Sequence, residues 1–161
     1  MLERIDQLND WLGRAVAWLT ALMALVTLAI VLLRYAFDQG TILLQESVMY
    51  LHGISFMLAI PYALKAGAHV RVDLLYTNMT ERRRALVDLL GHCLFLLPVS
   101  VFIFVSALPY VSLSWRVLEG SSEVGGLPLV YVLKTLIPVM AVLLFLQGIV
   151  EIARQLRVLR A

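Results

Sequence analysis

Four stretches without a single Asp, Glu, Lys or Arg divide this chain of 161 residues, and they constrain its fold more than any other feature. They run from Ala15 to Leu33, Ser47 to Leu64, Leu89 to Trp115 and Thr135 to Val150, with lengths of 19, 18, 27 and 16 residues. A helix needs about 20 apolar residues to cross a hydrocarbon layer roughly 30 Å thick. The last window reaches that length if Lys134 sits at the membrane edge. Helices are the only open-ended elements that satisfy their own backbone groups in lipid. The pattern therefore predicts an all-α integral membrane protein, a single domain over 1–161 with four transmembrane helices near 15–36, 43–65, 84–112 and 128–153. The third exceeds the bilayer thickness, so it is expected to tilt, to bend near Pro98 or Pro109, or to project beyond the membrane.

Composition excludes the other classes. Apolar residues make up 61% and charged residues 15%, against roughly 45–50% and 25% in soluble domains. A mean hydropathy of +0.90 agrees, and low hydrophobicity is what keeps a chain disordered. The lone Cys93 rules out a disulfide framework or a thiolate metal site within one chain. A net charge of +2 gives no ground for nucleic-acid binding.

Orientation follows from the basic residues. Ten of the 13 lie in three segments: Arg4 and Arg14; Lys65, Arg71 and Arg82 to Arg84; and Arg154, Arg157 and Arg160. The positive-inside rule then places both termini and the 65–84 loop in the cytoplasm. The first span has a longer uncharged run than a typical signal h-region of about 7–15 residues, and it is expected to stay in the mature protein. Before it, Leu2, Ile5, Leu8 and Leu12 recur at helical spacing among Glu3, Arg4, Asp6 and Asp10. This predicts a short amphipathic helix over 1–14 on the inner membrane surface. Thr80 and Glu81 form an expected N-cap and first-turn acid for the third span. Ser121 to Pro128 reads as a turn-rich outer loop with a helix-start proline. The chain has no internal repeat of the kind that builds self-sufficient secondary transporters.

Ion pathways and catalytic sites leave ionisable groups deep in spans. Here only His52 and His92 lie inside the charge-free windows, while Glu46, Lys65, Asp88, Lys134 and Glu151 sit near the predicted edges. Two histidines on different helices allow a haem held between spans. As packing residues they need only hydrogen-bond partners. A metal-ligand motif, a phosphate-binding loop and a nucleophile elbow are all missing from the sequence, so no catalytic residue, metal or cofactor is assigned. Past the second span, His69, Arg71 and Asp73 read either as a solvated juxtamembrane segment or as a polar anchor, and Arg82 to Arg84 as topology determinants facing anionic lipid.

Several phrases, taken in order, resemble one family. They are Glu46 opening the second span, Ala68-His69-Val70-Arg71-Val72-Asp73 after it, and Asp88-Leu89-Leu90-Gly91 in the third. Ser114-Trp115, Glu119, Ser121, Glu123 and Gly125-Gly126-Leu127-Pro128 follow in the last loop, then Lys134, Pro138 and Leu146-Gln147-Gly148 in the fourth span. From about residue 10 to 155 the chain is similar to the small membrane subunit, of DctQ type, of tripartite ATP-independent periplasmic (TRAP) transporters. The first outer loop, 34–41, shows little of the family pattern. The resemblance implies a non-catalytic subunit of a bacterial inner-membrane importer of an organic anion. Its partners would be a large polytopic permease subunit, which binds solute and sodium, and a periplasmic solute-binding protein. Glu46, His69, Arg71, Asp73 and Lys134 are then candidate anchors of fold or interface. Arg116, Glu119 and Glu123 are candidates for an outer docking surface. Gly53, Ser55, Ala59, Gly91, Ser100, Ser106 and Gly148 are the small residues expected at helix contacts. Two other classes remain open: a haem- or quinone-associated anchor of a respiratory complex, and a stand-alone membrane scaffold.

Overall fold

The charge-free windows sit inside four helices. The computed structural model describes residues 2–68, 76 and 79–160. The helices are α1 (Leu2–Phe37), α2 (Ile42–Lys65), α3 (Glu81–Arg116) and α4 (Val130–Arg160), and each is long and apolar enough to cross a membrane. All four expected spans are present, and all four helices are longer than expected, α2 by a single residue. At about 1.5 Å per residue, α1 and α3, with 36 residues each, reach about 54 Å. Both therefore extend well past the hydrocarbon layer.

The N-terminal segment differs from expectation. No break separates an interfacial helix over 1–14 from the first span, because α1 runs unbroken from Leu2 to Phe37. Leu8 and Trp11 are exposed, whereas Asn9 is 1% exposed. The face carrying Asp6, Asn9 and Asp10 turns toward the rest of the protein and finds hydrogen-bond partners there, while Leu2, Ile5 and Leu12 are half-buried. At the far end Asp38 adopts φ 50°, and the Gln39 N–H reaches back to the Leu33 carbonyl at 3.0 Å. This left-handed stop suits a short polar residue such as Asp.

Helix α3 starts after Thr80, which has the extended conformation of an N-cap but makes no side-chain cap bond, and Glu81 supplies the first-turn acid. His92–Leu96 form a π-turn within the helix, closed by the Leu97 N–H on the His92 carbonyl. Pro98 follows immediately. Its ring has no N–H to give and crowds the carbonyl four residues back, so a wider turn relieves the conflict. The Ser100 hydroxyl then donates to the Leu96 or Leu97 carbonyl, 2.9 Å from each. Helix α4 begins at Val130, two residues after Pro128, so that proline ends the loop and does not open the helix.

Helix α4 is the hub. It packs along α2 on one side and α3 on the other, while α1 pairs with α2 and touches α4 over a shorter stretch. Its buried residues include Pro138, Met140, Ala141, Leu144, Gln147, Gly148, Val150 and Glu151. Only Asn9 and Val16 are buried on α1. Without hydrophobic exclusion in lipid, such contacts rely on close approach at small residues. A Cβ at Gly53 would lie 2.9 Å from Leu133 Cδ1, and one at Gly148 would lie 2.7 Å from Leu96 Cδ2. Gly13, not anticipated, lets α1 meet α2, since a Cβ there would fall 2.5 Å from the Tyr62 ring. Ser55 and Ser100 are buried and Ala59 is half-buried. By contrast, Gly91 faces open space and Ser106 is exposed, so these two do not mark contacts.

Replacing Gly148 by Leu should force α3 and α4 apart, at a cost of about 1–3 kcal/mol for overpacking. Gly91→Ala should leave stability unchanged or slightly higher, because alanine is the better helix former. Thermal unfolding of the detergent-solubilised protein distinguishes the two.

Candidate functional site

Polar side chains gather at the two ends of the helices, leaving the apolar middle between them. At the end carrying the 117–129 loop, Glu46 lies one turn into α2. One carboxylate oxygen, Oε1, accepts from the Ser121 hydroxyl, and the other, Oε2, accepts from the Leu127 N–H at 2.5 Å. Ser121 Oγ in turn accepts from the Glu123 N–H at 3.0 Å. Gly126 permits this geometry. A Cβ there would lie 2.5 Å from Ser121 Oγ and 2.7 Å from Glu46 Oε1. Gly125, at φ +82°, makes the turn beside it.

A second pairing holds the same loop to α4. Lys134 Nζ donates to Glu119 Oε2 at 2.5 Å and lies 4.1 Å from the centre of the Tyr110 ring. The Trp115 indole N–H donates to Thr135 Oγ1 at 2.8 Å, and its ring meets Tyr131 edge-on at 4.6 Å. Loop, α2, α3 and α4 are thus joined through Glu46, Glu119, Lys134 and Trp115. The Lys134 ammonium beside it holds the Glu119 carboxyl below its ordinary range.

The structure brings Glu46 and Lys134 onto one loop, as anchors would be. Of the three expected outer residues, Glu119 is engaged by Lys134, while Arg116 and Glu123 are exposed. His69, Arg71 and Asp73 lie outside the described residues.

The opposite end, where both termini lie, carries a cluster that the sequence reading missed. Gln147 of α4 is fully buried. Its amide oxygen accepts from Asn9 Nδ2 at 2.7 Å, and its amide nitrogen donates to Glu151 Oε1 at 2.8 Å and Asp6 Oδ1 at 3.3 Å. Arg154 closes the network onto Glu151 Oε1 at 2.6 Å and onto Asp6 Oδ2. Lys65, at the end of α2, pairs with Asp10 Oδ2 at 2.6 Å and donates to the Asp6 carbonyl at 2.9 Å. Three helices therefore meet through α1 residues six to ten. A signal was available in spacing: Asp6, Asn9, Asp10 and Gly13 share one face of a helix, as do Gln147, Glu151 and Arg154.

The two histidines do not make a haem site. His52 borders a recess with Leu133 and Lys134, near the loop end of α4. His92 borders a groove with Leu64, twelve residues further along α2 than His52, or about 18 Å. Axial ligands need matching depth, which these two histidines do not have. Among the described residues no group of three or more His, Cys, Asp or Glu is placed to hold a metal.

Comparison with known protein families gives a match over most of the chain. The family model of the DctQ component of tripartite ATP-independent periplasmic transporters matches residues 23–158. No curated protein and no solved structure matches. The matched region holds Glu46, Lys134 and the α4 half of the Gln147 cluster, but not the α1 half.

Two outcomes test the ends separately. Gln147→Leu should lower stability by about 1–3 kcal/mol, because it strands the buried Asn9 amide and exposes Asp6 and Glu151 to each other. Pairing it with Asn9→Leu should recover part of that loss in a double-mutant cycle. At the loop end, Glu119 has its carboxyl held low in the folded chain. Its contribution is therefore complete above the ordinary carboxylate range and is lost only as pH falls through the lowered value. Trp115 emission should stay constant from neutral pH down to that range, then change in wild type and not in Glu119→Gln.

Proposed function

This chain belongs to the DctQ family of tripartite ATP-independent periplasmic transporter components, and from that premise we propose that it is the fixed scaffold of a secondary importer. The cargo is an organic anion of the carboxylate class, and a sodium gradient drives its uptake through the large permease subunit. The complex resides in a bacterial inner membrane with both termini of this chain inside, a reading that the distribution of its basic residues supports.

One observation carries the scaffold reading. The charged side chains near the membrane edges are committed to one another: Glu46 to the outer loop, Lys134 to Glu119, Lys65 to Asp10, and Arg154 to Asp6 and Glu151. Groups engaged in this way fix helices against helices and have little capacity left for a moving ion or carboxylate. A rigid membrane frame is what an elevator-type partner needs to work against. Arg116 and Glu123, exposed beside the outer loop, supply charge for a docking periplasmic binding protein. On the sequence resemblance, His69, Arg71 and Asp73 are proposed as a further anchor on the inner side.

Affinity purification of this chain from cells expressing its neighbours should recover a large polytopic subunit, and uptake should need both. Reconstituted permease that transports at full rate without this chain would overturn the scaffold role, as would sodium bound by this chain alone. Arg71→Ala or Asp73→Ala should lower assembly or uptake while leaving the order of solute preference intact, read by competition uptake assays.

A further inference from the structure

His52 stands apart from every other Asp, Glu, Lys, Arg and His side chain described, because it is exposed at mid-span. It lies six residues, or about 9 Å, beyond Glu46 and thirteen residues, or about 20 Å, short of Lys65. Its ring stacks on Phe56, with centroids 6.3 Å apart and an interplanar angle of 22°, and it makes no hydrogen bond among the described residues. Phe56 and Met49, on the same flank of α2, are each more than half exposed.

An imidazole carries one N–H donor and one acceptor nitrogen when neutral, and hydrocarbon satisfies neither. Ionisable side chains within spans accordingly face protein or a watered cavity. Beside His52 lies a recess of 280 Å³ between α2 and α4, walled by Met49, Gly53, Met57, Leu133 and Ile137, with Lys134 at its edge. Gly53 lines it, and the space its missing side chain leaves is taken by Leu133. An acyl chain fills such a recess but offers nothing to the ring. A protein helix offers both an apolar side chain for the recess and a hydrogen-bonding group for the imidazole. Methionines at the rim adapt to whatever shape enters.

We propose that the α2 flank bearing Met49, His52 and Phe56, with its adjoining recess, seats a transmembrane helix of the large polytopic partner. That helix places an apolar side chain in the recess and a carbonyl, hydroxyl or amide against His52. The inference rests on the scaffold reading and adds which face of this chain performs it.

The test uses the complex purified through a tag on this chain, with a benzophenone amino acid at position 49 or 56. Irradiation should yield an adduct between this chain and the large subunit. His52→Leu should reduce recovery of the large subunit about threefold, the worth of one interhelical hydrogen bond in a membrane. His52→Gln, which keeps a donor and an acceptor, should restore it. Adducts with lipid alone, or with a second copy of this chain, overturn the assignment, and so does His52→Leu recovering as much partner as wild type. If wild type recovers the large subunit and neither position crosslinks to it, this surface is wrong while the scaffold reading stands. If wild type recovers no large subunit, both fall.

Discussion

Lipid gives these helices no reward for hiding apolar surface from it, because hydrocarbon outside the protein is as apolar as leucine within. Register must come from elsewhere, and here it comes from hydrogen bonds that would be costly to leave unmade. Gln147 is the centre of this constraint. Fully buried on α4, it engages Asn9, Asp6 and Glu151 at once. Sliding α1 by one residue would turn Asn9 away by roughly 100° and leave a buried amide without its partner. The apolar contacts above it have no comparable penalty for small shifts.

The two ends divide the work differently. At the end of the termini, α1, α2 and α4 are pinned by side chains that all belong to helices. At the other end, the 117–129 loop is the intermediary, and Glu46 receives both a loop hydroxyl and a loop N–H. Gly125 and Gly126 bring the loop backbone close enough for this. Between the ends, glycines set the spacing: Gly53 admits Leu133, and Gly148 admits Leu96. Helix α4 takes part in both glycine contacts and in the Gln147 cluster, while Glu46 joins α2 to the loop.

Much of this was legible from charge alone. Four windows free of Asp, Glu, Lys and Arg marked four helices, because the cost of a charge in hydrocarbon is far larger than any propensity difference. That Glu46 and Lys134 lie toward the ends of their spans was readable for the same reason; that both bond the 117–129 loop was not. The continuity of the N-terminal segment with the first span was not legible, because Leu2, Ile5, Leu8 and Leu12 resemble a surface-lying stripe and periodicity cannot say which face meets protein. Within a membrane protein the polar face can be the inner one, as Asp6 and Asn9 show. The contact glycines divided in the same way: Gly148 and Gly91 look alike in sequence, and only the neighbouring helix decides which of them is needed. The π-turn before Pro98 has no signature beyond the proline itself.

These features together favour a body that is stiff at its rims and open along its flanks. The helix row does not close on itself, since α1 packs mainly on α2 and α3 on α4. Long apolar surfaces therefore remain uncovered, with Trp18 79% and Phe102 70% exposed. Most such surface is indifferent to whether lipid or protein covers it, because either supplies similar dispersion contacts. A polar group on that surface is not indifferent. His52 breaks the symmetry between the flanks, since its two ring nitrogens favour whichever neighbour can hydrogen-bond. The rims fix the helices among themselves, and the imidazole distinguishes one flank of α2 from apolar surface that lipid could cover equally well.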